Sequence, residues 1–122
     1  MTHIRINMYV DQFKNNEDVA EQYADYCDEE SKARILKTLN ESTVHLAYYG
    51  TGSYDGTSLV IFESNGILYE VNASHCSCYG LEGQWAPEET NWKSIGMREF
   101  HDQYDSEQTV KEVISKLCAK LA

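Results

Sequence analysis

Apolar side chains recur along this chain with two different periods, and each change of period marks an element. Ile4, Ile6, Met8 and Val10 alternate with Arg5, Asn7 and Tyr9. Such alternation sends successive side chains to opposite faces of a strand, so residues 3–10 are predicted as the first strand. Past Asn15-Asn16 the spacing becomes helical: Val19, Tyr23 and Tyr26 or Cys27 share a face, with Glu17, Asp18, Glu21, Asp25 and Asp28 around the rest. Asn16 is the expected N-cap, and Glu17 and Asp18 suit the positive end of the helix dipole. At Asp28-Glu29-Glu30-Ser31 the helix is either interrupted or replaced. Two short helices with a kink are favoured, the second carrying Ala33, Ile35, Leu36 and Leu39 to Asn40.

Thr43-Val44-His45-Leu46-Ala47-Tyr48-Tyr49 and Ser58-Leu59-Val60-Ile61-Phe62-Glu63 are rich in β-branched and aromatic residues and flank the glycine-rich Gly50-Thr51-Gly52-Ser53-Tyr54-Asp55-Gly56. They predict a hairpin with a long loop. Asn65-Gly66 is the strongest turn signal, because a type I′ turn needs positive φ at both central residues. It joins the hairpin to Ile67-Leu68-Tyr69-Glu70-Val71 and completes a three-stranded antiparallel meander. Residues 72–87 show neither period and read as a long ordered loop. A short helix is expected from Glu89 or Thr90 to Gly96, and Val110, Val113, Ile114, Leu117, Cys118 and Leu121 trace an amphipathic helix from about Ser106 onward. The expected fold is α+β: a mainly antiparallel sheet, made of the N-terminal strand plus the meander, with helices packed on one face.

Length and composition fit one domain over residues 1–122. A chain of 122 residues buries about two-thirds of its unfolded surface and needs no staples. No run is long and apolar enough to span a membrane, and the start, Met1-Thr2-His3-Ile4-Arg5, lacks the apolar stretch of a signal peptide. Cys27, Cys76, Cys78 and Cys118 are therefore expected to be reduced thiols, and the cytoplasm the place of action.

Twenty acidic and ten basic side chains give a formal net charge of −10. Their placement matters more than their sum. Residues 38–92 hold neither lysine nor arginine, yet include Glu41, Asp55, Glu63, Glu70, Glu82, Glu88 and Glu89. Phosphate backbones are gripped largely by cationic side chains, so direct binding of DNA or RNA is not expected. An acidic field either keeps a protein soluble or attracts a basic surface on another protein, including one built to hold nucleic acid.

His75-Cys76-Ser77-Cys78-Tyr79-Gly80-Leu81-Glu82-Gly83-Gln84-Trp85 is the stretch richest in reactive groups. His75, Cys76 and Cys78 are zinc-type ligands, but a fourth would have to come from Cys27, Cys118, His45 or His101, and adjacent residues on an extended segment point apart. Buried thiols in a tight loop are the favoured reading, with no metal and no cofactor. A Cys-His nucleophilic pair is weaker, because sequence neighbours seldom have the geometry for proton transfer. Gly50-x-Gly52 belongs to no phosphate cradle, since neither a third glycine at the right spacing nor a P-loop lysine follows. Glu88-Glu89 reads as an exposed acidic cap to the short helix. Among the aromatics Tyr48, Tyr49, Tyr54, Tyr79, Trp85 and Trp92, the residue at the loop tip, Tyr54, beside Asp55, is the candidate for an exposed anchor.

The GTGSYDG stretch over residues 50–56, then HCSCYGLEGQW over residues 75–85 and Pro87-Glu88-Glu89-Thr90, resembles a family of small proteins of tailed phages and prophages. The likeness covers roughly the middle third. Family members often have glutamate before the proline, where this chain has Ala86. The resemblance implies a phage or mobile-element origin and a compact α+β fold, and brings no catalytic residues with it. By analogy with small acidic phage proteins, the expected function is a non-enzymatic inhibitor of the anti-CRISPR type. It would bind a host defence protein or nucleoprotein complex and block its nucleic-acid-handling surface. Asp18, Glu21, Asp25, Asp28, Glu29, Glu30, Tyr54 and Asp55 are the expected contact residues. The alternative is a small metal-binding or thiol-dependent enzyme centred on His75-Cys76-Ser77-Cys78.

Overall fold

In the computed structural model, which describes residues 8–25, 28–51, 55–76, 80–97, 112 and 114–119, the apolar runs become neighbouring strands of one sheet. β1 (Met8–Asp11), β2 (Thr43–Thr51), β3 (Gly56–Ser64), β4 (Ile67–His75) and β5 (Glu88–Thr90) lie side by side in sequence order. β1 runs parallel to β2, with Val10 opposite Tyr48, and the remaining pairs are antiparallel. A parallel pair needs a crossover, and α1 (Asn16–Tyr23) with α2 (Glu29–Asn40) supplies it. α3 (Trp92–Gly96) and the helical residues 114–119 (α4) complete the α+β chain.

The helix termini follow from short polar side chains. Asn15, rather than Asn16, caps α1, its side-chain oxygen accepting the Asp18 N–H at 2.9 Å. Asn16 is engaged elsewhere: it accepts from the Tyr9 hydroxyl at 2.6 Å and donates to Asn40 at 3.0 Å, so one amide links β1, α1 and the end of α2. The break between the two helices lies where the acidic run indicates. Asp28 caps α2 by accepting from the N–H groups of Glu30 and Ser31, at 3.0 and 3.2 Å. Such a cap is worth about 1 kcal/mol.

Helices lie on both faces of the sheet, which corrects the expectation of one packed face. Alternate residues of β3 point oppositely: Val60 and Phe62 join the core under α1 and α2, with Val19, Tyr23, Ile35 and Leu39. Leu59 and Ile61 join a second core with Trp92, Ile95, Ile114 and Leu117. An unbroken apolar run is the mark of a strand covered on both sides. Of the C-terminal helix predicted from Ser106, Ile114, Leu117 and Cys118 fall within the described residues and pack as its period requires; Val110, Val113 and Leu121 lie outside them.

The turn at Asn65-Gly66 has φ of 53° and 79°, as a type I′ hairpin needs. Beyond it β4 continues to His75 instead of ending at Val71, carried by its pairing with β3 down to Gly56. Residues 88–90, expected to open a helix, add a fifth strand against Leu68–Glu70, and the helix starts later, with Asn91 as its cap. Residues 3–7 of the predicted first strand lie outside the described residues.

Candidate functional site

His75 ends a strand rather than opening a loop, and this decides what its ring can do. Tyr49 on β2 reaches across β3 to His75 on β4, its hydroxyl 2.7 Å from Nε2, with the rings edge to face at 5.7 Å. His75 Nδ1 lies 2.9 Å from the carbonyl oxygen of Cys76. A carbonyl only accepts, so Nδ1 donates to it, and with one proton on the ring Nε2 accepts the hydrogen of Tyr49. Both ring nitrogens are thereby engaged. Gly56, opposite His75 in the register, makes room for the pair, since a Cβ there would run into His75 Nε2 and the Tyr49 ring. Burial, reinforced by the Glu82 carboxylate, raises the Tyr49 phenol above its ordinary pKa.

Residues 80–85 return from this point across the face that carries α1 and α2. Leu81 is fully buried in that core. Gly83, at φ 76°, donates its N–H to the Tyr23 carbonyl at 3.1 Å. The Gln84 side chain acts as a strand neighbour to Ser74, accepting from its N–H at 3.3 Å and donating to its carbonyl at 3.0 Å. Trp85 lies flat on Phe62, with ring centroids 5.8 Å apart and 9° between planes, and meets Tyr23 edge-on at 5.2 Å. Glu82 accepts the Gly80 N–H at 3.1 Å. That bond, a second from its own N–H, and the nearby His75 hold its carboxyl below the ordinary range.

The outer side of this segment is an open concavity of about 690 Å³, lined by Asp55, Ser74, His75, Cys76, Glu82 and Gln84 among others. Cys76 is a free, exposed thiol, and Cys118 is free and half-buried, donating to the Trp92 carbonyl at 3.4 Å. Cys27, Ser77, Cys78 and His101 lie outside the described residues, and among the described ones no three candidate ligands come together as a metal group. Both ring nitrogens of His75 are hydrogen-bonded, one with Tyr49 and one with the Cys76 carbonyl. Compared with models of protein families, with curated proteins and with solved structures, the chain matches none.

The acidic residues divide into two groups. Asp18 and Asp28 serve the backbone: Asp18 accepts the Lys14 N–H at 2.9 Å, and Asp28 caps α2. Glu21, Asp25, Glu29 and Glu30 are exposed, and among the described residues none lies within ion-pairing reach of a lysine or arginine. Asp55 is half-buried at the concavity, and Tyr54 lies outside the described residues. The structure therefore places Glu21 on α1, Asp25 just past its end and Glu29 and Glu30 in the first turn of α2, and puts Asp55 elsewhere. Sequence reasoning missed the groove beside them, about 360 Å³, where Tyr23, Asp25, Arg34, Ile35, Thr38 and Trp85 meet. No residue pattern announces it, because it depends on where Trp85 packs against Phe62 and Tyr23.

Proposed function

We propose that this chain is a phage-derived inhibitor, of the anti-CRISPR type, that acts in the host cytoplasm by binding rather than catalysis. The four exposed carboxylates of Glu21, Asp25, Glu29 and Glu30 form its primary contact, with Tyr54 and Asp55 as a second. The partner is a host defence protein or nucleoprotein complex whose nucleic-acid-handling surface is basic.

The observation that carries this reading is that those carboxylates are exposed and, among the described residues, have no lysine or arginine within ion-pairing reach. Glu21 follows Glu17 and Asp18 by four and three positions on α1, where like charges repel by about 0.2–0.5 kcal/mol per pair, while Glu29 and Glu30 suit the positive end of the α2 dipole yet stay exposed to solvent. A basic surface supplies the missing countercharge and is drawn in at long range. Affinity capture at low salt with the immobilised protein tests it. A captured protein with a basic nucleic-acid groove, released by salt and displaced by its own nucleic acid, is the expected result. Capture that survives high salt and is indifferent to nucleic acid would refute it.

A further inference from the structure

The groove beside α2 adds a specific recognition element to the diffuse acidic face. We infer that it receives an arginine side chain of the partner, an inference that rests on the acidic-face reading above. Three features converge there. Trp85 is only half-buried although one ring face lies on Phe62, and the same indole lines the groove. Asp25 stands beside it, its backbone held after α1 by the bond from its N–H to Ser31 Oγ at 3.0 Å, while its carboxylate has no cation. Gly83, glycine for its φ of 76°, adds no side chain beside Asp25 Oδ1, and the Asp25 side chain is exposed.

An indole and an exposed, unpaired carboxylate lining one groove suit a planar cation. Guanidinium stacks on an aromatic ring and presents a fork of donors to a carboxylate, whereas ammonium is a compact, strongly hydrated point charge. The groove's size fits one side chain and its adjoining backbone. Arg34 and Thr38, which also line it, offer donors to carbonyl oxygens of that backbone, so the site takes a chain segment rather than a free ion. Ile35 and Tyr23 provide apolar surface for the arginine methylenes.

The test uses short acetylated peptides alternating arginine or lysine with glycine, titrated into ¹⁵N-labelled protein at low salt. The arginine peptide is expected to shift the Trp85 indole N–H resonance and to bind about fivefold tighter than the lysine peptide. D25N and the groove-filling T38F should each weaken it about fivefold or more, while E21Q, which removes the same charge outside the groove, costs less than about twofold. Unchanged melting temperatures certify the variants. If both peptides bind alike, D25N and E21Q weaken them equally and Trp85 does not move, the groove inference falls and the acidic-face reading stands. If neither peptide binds, both fall together.

Discussion

Residues 80–85 and the α1–α2 pair cover the same sheet face, yet they spend their side chains differently. In residues 80–85, Leu81 fills the core, Glu82 ties down Gly80, Gln84 pairs with Ser74 and Trp85 lies on Phe62. On the helices and at the end of α1, Val19, Tyr23, Ile35 and Leu39 are buried and Asp28 caps, but Glu21, Asp25, Glu29 and Glu30 are exposed without an ion-pair partner among the described residues. The difference teaches where to look for function. Residues 80–85 are largely consumed in building the fold, whereas Glu21, Asp25, Glu29 and Glu30 leave their carboxylates in solvent.

The sharpest way to break this contrast is to truncate the core anchor of the first region. Leu81→Ala is expected to cost about 2–5 kcal/mol in urea unfolding, as for other fully buried leucines. A loss under about 1 kcal/mol, the range of an ordinary surface substitution or little more, would mean that residues 80–85 are an ornament. Next in size, Gly56→Ala places a methyl against the Tyr49–His75 pair and should cost about 1–3 kcal/mol, with the His75 ring resonances displaced. Unmoved imidazole signals would show that the pair does not depend on the room left by that glycine.

A smaller effect separates the two regions by pH. Glu82 is held below its ordinary value of 4.5, chiefly by the Gly80 N–H. A carboxyl depressed in the folded state contributes stability above its unfolded pKa and loses it as pH falls through the folded value. Glu82→Gln should therefore be less stable than the native chain near neutrality, with the gap closing in acid below about pH 4.5. A gap independent of pH would assign the effect to packing and leave the carboxylate without a role.

Much of this fold was legible in the residue pattern, for identifiable reasons. Asn65-Gly66 admits positive φ at both positions, and an aspartate followed by two glutamates and a serine opens a helix, so the hairpin and the break between α1 and α2 were both readable. The second half of β4 was not. Asn72, Ala73, Ser74 and His75 lack an apolar alternation, and the strand persists there because β3 and Gln84 satisfy its backbone. β5 has three residues, too few to show a period. The two-sided core was written in Leu59-Val60-Ile61-Phe62, which fits a strand covered on both faces better than a meander with one. At the site, the acidic helices were recognisable from charge alone. Which carboxylates are free was not, because capping by Asp28 and the backbone bond to Asp18 depend on where each helix starts.

The smallest expected change in stability bears most directly on the central claim, that the exposed carboxylates of α1 and α2 serve a partner and not the fold. In Asp25→Lys with Glu29→Lys, stability should stay within about 0.5 kcal/mol of the native chain, since relief of the crowded negative charge is offset by the lost attraction of Glu29 to the positive end of the α2 dipole. The decisive measurement is the association rate of this double variant with the captured partner, taken beside the native chain at low and at high salt. A markedly slower association at low salt, with the difference fading as salt screens charges beyond about 8 Å, is the expected result. Equal association rates and affinities at low salt, for two proteins of equal stability, would contradict the account.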